Sequence, residues 1–199
     1  MSNWLITPDK YLTSDEVKKL KTVCQNAAII AKSKGNQIPV RDRLIIETAL
    51  GTGLRVSELA NLKIEDIHLK KGQSSLVVRD GKGGRNRVVA FNHFLKSEIL
   101  KYLEYRNSDS PYLFYSERGE KMTRYGISKV FKKMSKKAGL PTHYSIHSLR
   151  HTYATILYKA SGYNLRLVQK QLGHSSITTT TAYSDVLSKD LEDALENLE

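Results

Sequence analysis

Six side chains of this chain have the types needed to act together on a phosphodiester. They are Arg55 in TGLRVSEL, Lys82 in DGKGGRNR, His147 and Arg150 in HSLRHT, His174 in LGHSS and Tyr183 in TTAYS. Attack on such an ester requires charge on the non-bridging oxygens to be neutralised, a nucleophile to be activated and a departing alkoxide to be protonated. Guanidinium groups are planar, permanently charged forks suited to those oxygens, which makes Arg55 and Arg150 the candidates for bracing the phosphorus. A tyrosine phenol has a pKa of about 10 and needs a base or a cationic field before it attacks at neutral pH. His147 and Arg150 are three residues apart on a predicted helix, so both can reach one phosphate. His147, His151 and His174 raise the question of zinc, but carboxylate or thiolate partners at metal-ligand spacing are absent from the sequence, which predicts no metal site.

The order Arg, Lys, His-x-x-Arg, His, Tyr resembles the tyrosine recombinases, also called the phage integrase family, which exchange DNA strands at specific sites. The resemblance spans residues 12–198, and its most specific pieces are HSLRHT and LGHSS with the downstream tyrosine. It implies that Tyr183 is the nucleophile and His147 its base. Lys82 is then the general acid on the departing 5′ oxygen, and His174 donates a hydrogen bond to a phosphate oxygen. The product is a 3′-phosphotyrosyl enzyme that keeps the ester energy for resealing, so no cofactor is expected, neither ATP nor a metal. Glu58, three residues after Arg55, is placed to orient that guanidinium; His151 either helps position the phosphate or packs.

Members of this family usually carry a further helical DNA-binding domain ahead of the catalytic one, whereas only residues 1–12 precede the first predicted helix here. The expectation is therefore a site-specific recombinase in the form of an isolated or naturally short catalytic domain. Two other readings share the resemblance: a non-catalytic DNA-binding regulator with the same fold, and a relaxing enzyme like the type IB topoisomerases. Intact catalytic boxes favour an enzyme over a binder, and recombinase-like boxes favour a recombinase over a topoisomerase.

Charge agrees with double-stranded DNA as partner. Thirty-two Lys and Arg against 20 Asp and Glu leave a formal +12, and basic proteins are drawn to polyanions. The tail 189–199 holds five acids and one lysine, so a net −4 sits there and +16 on residues 1–188. The basic stretches 79–87 and 129–137 are candidate phosphate contacts. A single cysteine, Cys24, cannot form an internal disulfide, and no apolar run approaches the roughly 18 residues of a membrane span. With no secretory signal in MSNWLITPDK, a cytoplasmic protein without a membrane partner is expected.

The elements that must carry these residues follow from pattern. Thr13-Ser-Asp-Glu16 has the form of a capping box, and Val17, Leu20, Val23, Cys24 and Ala27 recur at helical spacing, predicting a helix over 14–33. A polar stretch 34–39 leads to a buried helix over 41–50 ending at Gly51, and a short helix resumes over 56–62, so that Arg55 sits on a glycine-flanked turn at a phosphate-facing position. The pattern then changes to β-branched runs at 74–79 and 87–91 around Asp80-Gly-Lys-Gly-Gly84, a hairpin that projects Lys82 from its turn, with 67–69 as a third strand. Helices are predicted over 92–106, 123–138, 147–159 and 165–172, with Thr123 and Asn164 as N-caps and a short strand at 112–116. The fold class is mainly α with a small three-stranded antiparallel β-sheet. Residues 1–12 read as a linker-like segment, 13–185 as the catalytic domain and 186–199 as an acidic amphipathic helix with the stripe Leu187, Leu191, Ala194, Leu195 and Leu198. In similar recombinases the segment after the nucleophile docks on a neighbouring subunit, which implies self-association, as a tetramer, on DNA; packing on its own domain is the alternative.

Overall fold

The computed structural model describes residues 8–79 and 86–173. Seven α-helices occur among them: α1 (Ser14–Ser33), α2 (Ile38–Thr52), α3 (Val56–Asn61), α4 (His93–Tyr105), α5 (Arg124–Lys137), α6 (Ile146–Ala160) and α7 (Leu165–Leu172). Strands β1 (Ile67–His68), β2 (Ser75–Val78) and β3 (Arg87–Ala90) form one antiparallel sheet in that order, with Ile67 opposite Leu76 and Ser75 opposite Ala90. The expected mainly helical class with a three-stranded sheet is what the chain adopts.

Local chemistry explains most boundaries. The Thr13 hydroxyl accepts from the Glu16 N–H while the Glu16 carboxylate accepts from the Thr13 N–H at 2.8 Å, a complete capping box that opens α1. Leu20, Cys24, Ala28 and Ala31 then bury one face of it. Thr123 and Asn164 cap α5 and α7 through their side chains as expected, and Asn92 does the same for α4.

Helix α2 differs from its expected limits at both ends. It starts at Ile38, because Pro39 falls in the first turn, where a missing N–H costs nothing. It runs through Gly51 to Thr52 and stops at Gly53, whose left-handed backbone (φ 63°, ψ 23°) forms the cap. Gly51 is explained by packing: a Cβ there would lie 2.9 Å from Leu95 Cδ2 of α4. The expected strand at 112–116 is reduced to two isolated bridges, Lys63 with Tyr112 and Tyr115 with Lys121.

Helix α2 is buried on nearly every side and packs against α1, α4, α5 and α6, so it is the axis of the domain. Its Ile45 and Ile46 share one core with Leu20, Leu59, Leu76, Leu95, Ile99, Phe114, Phe131 and Leu149, all essentially inaccessible to water. A second, smaller cluster of Tyr153, Ala154, Tyr158, Val168 and Leu172 fastens α7 to α6. Gly53 sits at the junction between the two clusters, where a Cβ would overlap Tyr153 Cδ1 and lie 2.9 Å from Leu172 Cδ2. Gly53→Ala should therefore cost about 2–4 kcal/mol, from the left-handed backbone and the overlap together. Urea unfolding measures this, and a midpoint equal to that of the unaltered chain would contradict it.

The free edge of the sheet is closed by a side chain. Gln171 of α7 accepts from the Ala90 N–H at 3.1 Å and donates to the Ala90 carbonyl at 3.3 Å, supplying both halves of a strand pairing. In this way α7 is tied to β3 as well as to α6.

Candidate active site

Arg55, His147 and Arg150 come together, although 92 residues separate Arg55 from His147 in the chain. Arg55 is the residue just before α3, extended at φ −68° and ψ 155°. Its N–H donates to Glu58 Oε2 at 2.7 Å and its Nη1 to Glu58 Oε1 at 2.8 Å. Helix α3 has only six residues, so the cationic character of this position comes from the guanidinium and not from a helix dipole.

Helix α6 presents the HSLRHT box in its first two turns. His147 is exposed, Arg150 is buried and His151 is intermediate. Arg150 Nη1 donates to the Gly53 carbonyl at 2.5 Å and Nη2 to the Leu172 carbonyl at 2.9 Å. One guanidinium thus brackets the turn that delivers Arg55 and the end of the helix that precedes His174.

Electrostatics follow from this crowding of cations. Although its edge reaches solvent, partial desolvation by the surrounding protein, then the charges of Arg150 and Arg55, push the His147 pKa below its ordinary value. The imidazole is therefore neutral at neutral pH, with a nitrogen lone pair able to accept a proton. Burial, Arg150, His147 and Lys10 bring His151 down to about 4. The two histidines share an open cleft of about 250 Å³ with Asp9, Lys10, His143, Ser145 and Ser148. Among the described residues no cluster of three or more His, Cys, Asp or Glu could hold a metal ion.

Glu58 is the anionic centre of this region. Its carboxylate is 7% exposed and is gripped by Arg55 and, through two further bonds of 2.8 Å, by Nη1 and Nη2 of Arg87. Burial alone would raise the carboxyl pKa, but the hydrogen bonds and charge of Arg87, followed by those of Arg55, outweigh it and hold it at about 2. The folded value lies below the ordinary value of 4.5, so the stabilisation is complete above pH 4.5 and is lost as pH falls toward about 2. Glu58→Gln should destabilise the domain at neutral pH by about 3 kcal/mol and flatten that acid limb. Urea midpoints recorded from pH 7 to pH 2 test this, and an unchanged pH dependence in the variant would refute it.

Lys82, His174 and Tyr183 lie outside the described residues. What is described is the scaffold leading to two of them: β2 and β3 on either side of residues 80–85, and α7 ending in Gly173 with φ 65°. Within the two basic stretches the described side chains divide between internal partners and solvent. Arg79 pairs with Asp66 at 2.5 Å and Arg87 with Glu58, while Lys132 anchors the loop before α6 by donating to the carbonyls of Thr142 and Tyr144. Lys129, Lys136 and Lys137 stay on the exposed face of α5.

Sequence reasoning missed Arg87 and Gln171 as parts of this arrangement. For Arg87 a signal existed: it alternates with buried Val89 on β3, which turns it inward. For Gln171 no spacing rule would have shown that its amide meets a strand edge.

The domain is thus mainly helical with one small antiparallel sheet, and it gathers Arg55, the His147–Arg150 turn of α6 and the carboxylate of Glu58 in one region. The sequence matches the model of the phage integrase family over residues 10–189, and the chain belongs to that family. It is 43% identical over 193 residues to the tyrosine recombinase XerA of Pyrococcus furiosus, covering 96% of this chain and 62% of that protein. Identity to XerA of Pyrococcus horikoshii is 41%, over 94% of this chain and 60% of the relative. The chain thus spans about three fifths of the length of these curated relatives. Among solved structures, a XerA recombinase crystal structure superposes with a TM-score of 0.77 at 30% identity, over 98% of this chain and 66% of that one. A post-cleavage complex of the XerH site-specific recombinase with palindromic difH superposes equally well, TM-score 0.77, at 29% identity over 93% and 52% of the two chains.

Proposed function

We propose that this chain is the catalytic part of a site-specific recombinase that cleaves and rejoins double-stranded DNA through Tyr183. Arg55 and Arg150 brace the scissile phosphate, and neutral His147 takes the phenol proton as the Tyr183 oxygen bonds to phosphorus. The bond from phosphorus to the 5′ oxygen breaks, and that oxygen takes a proton from Lys82. His174 donates to a non-bridging oxygen as negative charge grows on it. Resealing is the reverse, with a 5′ hydroxyl attacking the phosphotyrosine, so no external energy source enters.

The observation that carries this reading is the Arg150 bracket. It holds Gly53 and Leu172 from motifs more than a hundred residues apart, beside a histidine whose proton affinity is lowered by desolvation and then by the charges of Arg150 and Arg55. Support for DNA as the substrate comes from the +16 carried by residues 1–188 and from relatives solved on DNA, such as XerH on difH and lambda integrase on a COC' core site. Among the described residues no helix is long and apolar enough to cross a membrane, and the reaction is assigned to the compartment that holds the DNA, the cytoplasm. Residues 13–185 would form the catalytic domain, with 186–199 docking on a neighbouring subunit in a tetramer assembled on DNA.

The test is covalent trapping. The protein is incubated with a randomised duplex library carrying nicks, denatured, and its DNA-linked peptides are sequenced by mass spectrometry. A nucleotide joined to the peptide containing Tyr183 supports the assignment, and the trapped DNA reports the preferred site. Retention of DNA without any covalent product would overturn catalysis and leave a DNA-binding module.

A further inference from the structure

Arg87 touches both halves of the candidate site. Its Nη1 and Nη2 face Glu58 Oε1 and Oε2 at 2.8 Å each, and its Nε donates to the Gln171 carbonyl at 3.3 Å. A Cβ on Gly173 would lie 2.5 Å from Arg87 Cδ, so the backbone entering His174 runs against the Arg87 stem. The side chain is 12% exposed, too buried for its charge to serve mainly as a solvated surface group.

The accounting at Glu58 is complete. A carboxylate offers about four lone-pair sites. The Arg55 N–H and Nη1 take two, and the Arg87 fork takes the other two. Because of that division Arg55 engages the carboxylate through one guanidinium nitrogen, and its Nε and Nη2 have no partner among the described residues. If Arg87 were absent, Glu58 would be open to a fork-to-fork pair with Arg55, the geometry these two groups favour. A DNA phosphate would then have to compete with Glu58 for the guanidinium.

We infer that Arg87 is a positioning residue for the strand-cleavage reaction: it occupies the spare face of Glu58 so that Arg55 keeps an edge for the phosphate, and it sets the turn before His174 against that edge. This rests on the reading under Proposed function. Lysine at 87 keeps the charge but is a point donor, unable to hold both carboxylate oxygens. It therefore separates the fork from the charge.

The experiment is a cycle on the full chain, comparing the unaltered protein, Arg87→Lys, Arg55→Lys and the double variant. DNA affinity, thermal midpoint and the single-turnover rate of adduct formation are measured on a nicked duplex recovered from the randomised library. Arg87→Lys should slow adduct formation about tenfold or more while binding changes by less than about twofold. In the Arg55→Lys background the same substitution should change the rate by less than about twofold, since its action passes through Arg55. An equal loss in both backgrounds would mark Arg87 as a general stabiliser and overturn the role, as would an unaltered rate in Arg87→Lys. Should the lysine variant fail to fold, Arg87→Gln, which leaves Glu58 in place, is compared with and without Arg55→Lys, and the same two outcomes decide. If the unaltered protein forms no adduct through Tyr183, the functional reading falls and this role with it. If it does and Arg87→Lys is just as fast, the role alone is wrong.

Discussion

Tyr183→Phe should abolish the covalent protein–DNA product while leaving DNA affinity within about twofold, because at neutral pH a phenol of pKa about 10 carries no charge and releases no counterions on binding. The substitution removes one oxygen, the atom that would become the ester oxygen of the phosphotyrosine. No neighbouring group can replace it without changing which peptide carries the DNA. The loss should therefore be at least about a thousandfold in adduct rate and complete within detection. Gel separation under denaturing conditions reads the adduct and titration of a labelled duplex reads affinity. An adduct that persists in the phenylalanine variant would mean that another residue attacks, and the site as assigned would be wrong.

Arg150→Lys should be the next most damaging change, and it acts on both stability and chemistry. The guanidinium reaches the Gly53 and Leu172 carbonyls with two different nitrogens. An ammonium on a shorter stem is a single point donor and can hold at most one of them well. Losing one charge-assisted hydrogen bond at a site only 7% exposed should cost about 2–3 kcal/mol of stability. The turn carrying Arg55 and the end of α7 would then no longer share a fixed separation. Adduct formation should fall about a hundredfold or more, the usual scale for loss of a preorganised charged donor at a phosphorus centre. Affinity should move far less, since net charge is retained. Thermal unfolding and single-turnover rates measured on the same preparation check both parts. A normal rate with a lowered midpoint would confine Arg150 to the scaffold.

Both consequences depend on an arrangement in which one side chain has a structural and a chemical task. Arg150 is buried because it satisfies backbone carbonyls, and its charge, after the desolvation of His147 itself and ahead of the charge of Arg55, depresses the proton affinity of that histidine. Glu58 shows the converse: its burial would favour the neutral acid, and two arginines keep it ionised. The surface proposed to receive DNA is thereby kept cationic, with the Glu58 carboxylate occupied by two guanidinium groups and the Arg55 N–H.

Much of this was legible from residue order. Capping chemistry at Thr13, Thr123 and Asn164 marks helix starts, since an N-cap acts on an N–H two or three residues away. The β-branched runs at 74–79 and 87–91 mark strands, since such side chains suit an extended backbone residue by residue. The candidate residues Arg55, His147 and Arg150 were visible by type and spacing, and the family by their order. Where local signals conflicted, the fold decided. Gly51 and Gly53 are both breakers in sequence, yet helix α2 passes through the first because Leu95 needs the space, and stops at the second because Tyr153 and Leu172 close over it. Arg79 and Arg87 belong to one basic stretch, yet their partners lie 13 and 29 residues away: Arg79 reaches Asp66 while staying 56% exposed, and Arg87 is drawn inward to Glu58. Gln171 closes a strand edge 81 residues distant. Helix and strand periodicity, caps and reactive side-chain types are properties of neighbours in the chain. Which carbonyl Arg150 brackets, and which arginine completes Glu58, depend on how α2, β3, α6 and α7 pack around one core, because only that packing brings remote residues within hydrogen-bonding distance.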